Sequence, residues 1–125
     1  MRKTVMIADS DSKALEKARK ALEGKSFKVE TAGNGLECLQ KLHQGLKPAL
    51  IILETSMPVM SGWRAALEIG KDKSLAKIKI VLYSHHEKKS LPKHKEYCKE
   101  LHLHYIVKPF TPAELVKKVK ALTGG

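Results

Sequence analysis

Polar side chains that could bind an ion or a phosphoryl group stand directly after four apolar segments of this chain of 125 residues. They are Asp9, Ser10, Asp11, Glu54, Ser84 and Lys108. Carboxylates offer the oxygen ligands that Mg²⁺ takes, and an ammonium pairs with a carboxylate or a phosphate. None of these residues forms an activated nucleophile with a general base, so a hydrolase or a transferase is disfavoured and we predict no enzyme activity.

The apolar segments have the pattern of strands that are covered on both faces. These segments are 5–8, 49–53, 78–83 and 105–107, and 27–31 alternates as an edge strand does. Helical spacing between the segments predicts five helices, at roughly 14–22, 34–42, 62–71 and 91–101, with the last opening at 111. Asn34 with Glu37, and Thr111 with Glu114, resemble capping boxes at two of the helix starts.

Five strands that alternate with five helices predict an open α/β sheet with helices on both faces. Right-handed crossovers make all the strands parallel, so their carboxyl ends share one edge, where ligands of such sheets bind. For any single polar residue at this edge, contact with solvent is a sufficient explanation. That explanation does not account for a polar residue at every core-strand end, and we expect the set to form one site.

Four stretches of the chain resemble response-regulator receiver domains. They are Ile7-Ala-Asp9-Ser-Asp11, Leu53-Glu54-Thr-Ser-Met57-Pro58-Val-Met60-Ser-Gly62, Leu82-Tyr-Ser84 and Tyr105-Ile-Val-Lys108-Pro109-Phe110. The resemblance runs from Lys3 to Leu122, and the Met-Pro-x-Met-x-Gly and Lys-Pro-Phe pieces together make it specific. It implies a flavodoxin-like fold, with a five-stranded parallel sheet in the order 2-1-3-4-5 and five helices on two faces. We assign 1–122 to this domain and 123–125 to a flexible tail or the start of a linker.

The resemblance also implies roles for the polar residues in a two-component phosphorelay. Receivers accept a phosphoryl group on an aspartate at the end of the third strand, where this sequence has Glu54. Ser84 and Lys108 match the hydroxyl and the lysine of the family. Tyr105 matches an aromatic residue that changes rotamer on activation in many receivers.

The metal site that the resemblance implies is altered in this sequence. Asp9, Glu54 and the backbone carbonyl of Ser56 would be its ligands, but Ser10 replaces the second acid of the pair after the first strand. Asp11 could substitute only by pointing back towards the site. We therefore predict a weak or absent Mg²⁺ site and no cofactor. An attacking oxygen displaced by about 1 Å costs about 10²-fold in rate, so we also predict that Glu54 is not phosphorylated.

Two interpretations of Glu54 stay open from the sequence. Its longer side chain could pair with Lys108 and replace the contact that phosphorylation makes, which would hold the domain in one signalling state. Alternatively, Glu54 and Ser10 record only the loss of the chemistry, and the fold is kept as a docking module. Both describe a pseudo-receiver that acts by protein contact.

The chain is strongly basic, with 24 Lys and Arg against 13 Asp and Glu and a net charge of +11. Lysines are dense at 88–99, in the predicted fourth helix. By the resemblance, receivers bind partners on the face formed by the fourth helix, the fifth strand and the fifth helix, so we predict an acidic protein partner there. The alternative is a binder of nucleic acid or another anionic surface on a receiver scaffold. Few aromatic residues accompany the lysines, which disfavours nucleic acid.

The longest apolar run, 49–53, is too short to cross a membrane, and no secretory signal is visible at the start. Cys38 and Cys98 form no metal or disulfide pattern, so we predict a cytoplasmic protein without a membrane partner. The six histidines have no completing ligand set, and we predict no zinc site. His102 and His104 are interpreted as solvent-facing loop residues.

Overall fold

The computed structural model describes residues 2–84, 104–107 and 111–124, with 84 and 105–107 described as backbone. In these ranges the elements are β1 (Thr4–Ala8), α1 (Ser12–Glu23), β2 (Lys28–Ala32), α2 (Gly35–His43), β3 (Leu50–Glu54), α3 (Gly62–Lys71), β4 (Lys79–Ser84), β5 (His104–Val107) and α4 (Pro112–Thr123). The predicted helix at 91–101 lies outside the described residues, so α4 is the last of the five predicted helices. Within the described ranges, no helix is long and apolar enough to cross a membrane.

The sheet has five parallel strands in the order β2-β1-β3-β4-β5. This confirms the predicted fold class and strand order. The alternating segment that was predicted as an edge strand is β2, which lies at one edge of the sheet. β1 and β3 are both flanked by other strands, and their apolar side chains are buried on both faces, as their unbroken apolar sequence requires.

Successive side chains of a strand point to opposite faces, so each central strand contributes to two cores. On one face, β1, β3 and β4 pack against α2 and α3 through Met6, Ala8, Ile51, Leu53, Ile80 and Leu82. On the other face, which we call the α1/α4 face, the same strands contribute Val5, Ile7, Leu50, Ile52, Val81 and Tyr83. Cys38 lies in the first of these cores, as its helical position predicted, and burial raises the pKa of its thiol to about 12.

Both predicted capping boxes begin a helix, but only one is complete. The Thr111 hydroxyl accepts from the Glu114 N–H, and the Glu114 carboxylate accepts from the Thr111 N–H. The Asn34 side chain accepts from the Glu37 N–H, whereas the Glu37 carboxylate accepts from Gly33, one residue before the cap. The prediction for Asn34 and Glu37 was therefore right about the start of α2 and wrong about the hydrogen-bond partner of Glu37.

His104 is the first residue of β5 and pairs with Val81 of β4, so its prediction as a loop residue was wrong. Its side chain is half-buried. Burial and the neighbouring ammonium groups of Lys118 and Lys79 lower the pKa of His104. His102 lies outside the described residues. At the other end of the domain, Thr123 still belongs to α4, one residue beyond the predicted domain end, and Gly124 caps the helix in the left-handed conformation.

Candidate functional site

Asp9 and Glu54 lie side by side at the carboxyl edge of the sheet. Ala8 and Leu53 are register partners in β1 and β3, and each acidic residue is the next one along its chain. Strand alternation directs both side chains away from the α2/α3 core. Asp9 is 1% exposed and Glu54 is 7% exposed. Since buried carboxylates are costly without hydrogen-bond partners, their partners define what this site can do.

The hydroxyl of Ser10 donates a hydrogen bond to Glu54 Oε1 over 2.8 Å. Ser10 therefore lies beside Glu54. Ser10 is the residue that, by the family resemblance, replaces the second acid of the pair after the first strand. A hydroxyl in this position donates a hydrogen bond to the carboxylate and adds no negative charge. The contact gives the Glu54 carboxylate a hydrogen-bond donor in a position that is largely closed to solvent.

Both oxygens of Asp9 accept hydrogen bonds from this chain. Oδ1 accepts from the Asp11 N–H over 2.9 Å, which closes the turn after β1. Oδ2 accepts from the hydroxyl of Tyr83 over 2.5 Å, and the Tyr83 side chain is only 3% exposed. Bonds from a hydroxyl to a carboxylate are among the strong hydrogen bonds of proteins.

The phenol of Tyr83 is a hydrogen-bond donor in this site. Burial raises the pKa of this phenol well above the ordinary value. The negative charge of Asp9, the hydrogen bond to Asp9 and the charges of Glu54 and Asp11 raise it further. All these causes oppose a phenolate. The hydroxyl is therefore protonated at neutral pH and donates a hydrogen bond to Asp9.

Asp11 does not point back into the site. It is the N-cap of α1, and its Oδ1 accepts from the N–H groups of Lys13 and Ala14. These bonds satisfy helix N–H groups that have no partner within the helix. Asp11 could become a ligand at the sheet edge only by giving up this cap.

The loop after β3 is held at both ends by close backbone contacts. The Gly62 N–H donates to the Thr55 carbonyl over 3.1 Å, and the Gly35 N–H donates to the Met60 carbonyl over 3.0 Å. A Cβ atom on Gly62 would lie 2.8 Å from the carbonyl carbon of Glu54 and nearer still to its oxygen. The start of α3 therefore packs directly on the backbone of Glu54, which positions that residue.

The structure brings together Asp9, Ser10 and Glu54 of the predicted site. Ser56 is exposed in the loop after β3. Ser84 ends β4 at the same edge of the sheet, and Tyr105 lies within β5. Lys108 lies outside the described residues, so its pairing with Glu54 stays a prediction.

Tyr83 is the residue of the site that was missed from the sequence. Its signal was present, since a phenol in a buried strand needs a hydrogen-bond partner. Alternation also places it on the same face as Val81, one residue before the predicted site residue Ser84. Its partner, Asp9 directly after β1, was not visible from the sequence, because a whole strand lies between β4 and β1.

Comparison with protein families gives one match that covers most of the chain. The model of the response regulator receiver domain matches residues 5–120. Among solved structures, the response regulator protein TrrA from Thermotoga maritima, in complex with Mg²⁺-BeF, is 30% identical, and the match covers 96% of this chain and 98% of that one with a TM-score of 0.78. The chemotaxis response regulator CheY4 of Vibrio cholerae is 24% identical. The match covers 98% of this chain and 99% of that one, and its TM-score of 0.85 shows that the two share a fold.

Curated relatives are longer proteins. The transcriptional regulatory protein CpxR homolog from Haemophilus influenzae is 30% identical over 120 residues, which are 94% of this chain and 49% of that protein. The chain spans about half the length of the curated relatives it matches. The family match and the strand order agree, and the chain belongs to the response regulator receiver domain family of two-component signalling.

Proposed function

We propose that this receiver domain signals by protein contact, without turnover of its own and without phosphorylation of Glu54. The observation that carries the proposal is the hydrogen bond from Ser10 to Glu54 at 2.8 Å. Glu54 holds the position at which the family accepts a phosphoryl group, and Ser10 holds the position of an acid. The two replacements contact each other, so a carboxylate accepts from a hydroxyl where the family pattern has two acids.

The described residues do not fit a Mg²⁺ ion well. This ion requires near-octahedral oxygen ligands at about 2.0–2.1 Å and is usually held by one or two carboxylates with waters and phosphate. Ser10 supplies no charge, both oxygens of Asp9 already accept hydrogen bonds, and Asp11 caps α1.

The length of the Glu54 side chain supports the same proposal. It carries one methylene more than aspartate, and the backbone contact with Gly62 prevents β3 from retreating to compensate. Phosphoryl transfer depends on the position of the attacking oxygen, and a misplacement of about 1 Å costs about 10²-fold. The Glu54 side chain is instead suited to accept hydrogen bonds such as that from Ser10. These bonds would hold the carboxyl edge of the sheet in one arrangement.

Labelling with acetyl phosphate and Mg²⁺ tests the proposal by intact mass. The unaltered protein is expected to gain no phosphoryl group, because neither the acceptor nor the acid pair is present. The double variant Ser10→Asp with Glu54→Asp restores both residue types and is the variant in which labelling is possible. Glu68→Asp on α3 makes the same shortening at a residue outside the site and is expected to gain nothing. A mass gain in the unaltered protein that Glu54→Gln removes would contradict the proposal.

The partner that we propose is an acidic protein that docks on the face of 91–101, β5 and α4. The charge of +11 supports it. The ammonium groups of Lys118 on α4 and Lys79 on β4 also lie near His104 of β5, whose pKa is lowered first by burial and then by these two charges. At least two positive charges therefore lie near the junction of β4, β5 and α4. Docking of an acidic surface there would be steered by charge and weakened by salt.

Charge reversal on matched helices tests this partner. Lys117, Lys118 and Lys120 on α4 are changed to Glu in one variant, and Lys13, Lys17 and Lys20 on α1 are changed in the control. Affinity capture from an extract at about 0.15 M salt is expected to lose an acidic protein with the α4 variant only. Random-sequence duplex DNA is run in a gel-shift assay beside it. A shift of the DNA that both variants weaken equally would favour the anionic-surface alternative.

A further inference from the structure

We propose that Tyr83 is a positioning residue that closes the site to divalent cations, by placing its hydroxyl on Asp9 where a cation would otherwise bind. The inference rests on the proposed function and adds a third determinant to Ser10 and Glu54. It implies that restoring the two acids is insufficient to restore full cation binding. The phenol must also be removed.

The geometry of the sheet makes this contact distinctive. Tyr83 is the register partner of Glu54 on the neighbouring strand, whereas Asp9 follows β1 on the far side of β3. Two strand spacings, about 10 Å, therefore separate the backbones of β4 and β1. The ring of Tyr83 crosses β3 on the α1/α4 face and carries its hydroxyl to within 2.5 Å of Asp9 Oδ2.

The chemistry of the contact opposes a cation. A protonated phenol presents a positive hydrogen to Asp9 Oδ2, where it occupies one of the two lone pairs of that oxygen and repels an approaching cation. If Asp9 turned to a cation, the hydroxyl of Tyr83 would lose this acceptor in a site that is almost closed to solvent. The lost hydrogen bond would oppose cation binding by about tenfold.

Ser10 and Tyr83 act in parallel on the two carboxylates. Ser10 donates to Glu54, and Tyr83 donates to Asp9. Each of the two neighbouring carboxyl groups therefore has a hydroxyl donor, which contributes to holding it at the buried edge of the sheet.

Calorimetric titration with MgCl₂ tests the role of Tyr83 in the full chain. The background is the double variant Ser10→Asp with Glu54→Asp, and the test variant adds Tyr83→Phe, which removes the hydroxyl and keeps the ring. We expect the Kd for Mg²⁺ to fall about tenfold when the hydroxyl is removed. Thr55→Val in the same background removes another buried hydroxyl next to the site and is expected to leave the Kd unchanged.

Equal Kd values with and without Tyr83→Phe, within about twofold, would overturn the inference, and so would the absence of measurable binding in both backgrounds. Circular dichroism checks that each variant folds. Tyr83→Leu, which also lacks the hydroxyl, provides a second variant should the phenylalanine variant not fold. Failure of the proposed function would be seen in a different experiment, as phosphorylation of the unaltered protein, which contains both Tyr83 and Ser10. It is therefore distinguishable from failure of this inference.

Discussion

Gly62→Ala is expected to unfold this protein or to lower its free energy of unfolding by about 4 kcal/mol or more. A Cβ atom at this position would lie 2.8 Å from the carbonyl carbon of Glu54 and nearer to its oxygen. Both are backbone atoms of the central strand β3, so no side chain can rotate away to make room. The start of α3 would have to move off the sheet, which would also release the Thr55 carbonyl from its hydrogen bond with Gly62.

Gly33→Ala is the matched control for this expectation. The nearest atom to a Cβ there is the Glu37 carboxylate at 3.5 Å, which is ordinary contact with a flexible side chain. We expect a change within about 1 kcal/mol of the unaltered protein. Urea unfolding followed by circular dichroism measures both variants. A Gly62→Ala protein as stable as the Gly33→Ala control would show that α3 does not pack on Glu54 as described.

Ser10→Asp is expected to lower the free energy of unfolding by about 2 kcal/mol at neutral pH. The change removes the hydroxyl that donates to Glu54 and places a second carboxyl group beside a side chain that is 7% exposed. Like charge raises the pKa of the introduced carboxyl above its value in the unfolded chain. Between the pKa of this carboxyl in the unfolded chain and its raised pKa in the folded protein, the native state binds more protons than the unfolded state. The added loss of stability therefore grows as the pH rises through this interval and disappears in acid.

The pH dependence separates charge repulsion from the loss of a hydrogen bond. Ser10→Ala loses only the hydrogen bond, and we expect it to cost about 1 kcal/mol. The difference between the aspartate and alanine variants is expected to shrink from about pH 7.5 towards about pH 4, where the introduced carboxyl is protonated. Urea titrations at several pH values measure that difference. A difference that does not change with pH would mean that the introduced carboxyl does not face Glu54.

The positions of the two carboxylates were predictable because they depend on strand periodicity. Asp9 and Glu54 each follow a short apolar segment, and parallel strands end at one edge of a sheet. The register of β1 and β3 then places them side by side, as the sequence indicated. The strand order was predicted from the family resemblance and not from periodicity, and the sheet confirms it.

The partners of the polar side chains were less predictable. Asp11 was weighed as a substitute ligand, but it caps α1, because the helix begins at the next residue and its N–H groups need an acceptor. Glu37 reaches Gly33 instead of its own cap residue, which depends on the path of the chain before α2. His104 was placed in a loop because a four-residue strand gives too little pattern for its first residue to be recognised.

Periodicity was sufficient to predict a parallel α/β sheet, and the motifs that resemble receiver domains were sufficient to indicate the family, because these signals depend on residue types and on distances along the chain. Which hydroxyl meets which carboxylate was decided by the folded sheet. Tyr83 and Asp9 are separated by 74 positions and by an intervening strand, and they meet only when β4, β3 and β1 lie in this order and register. A hydrogen bond depends on angstrom-scale distance and direction, and neither is encoded in local periodicity.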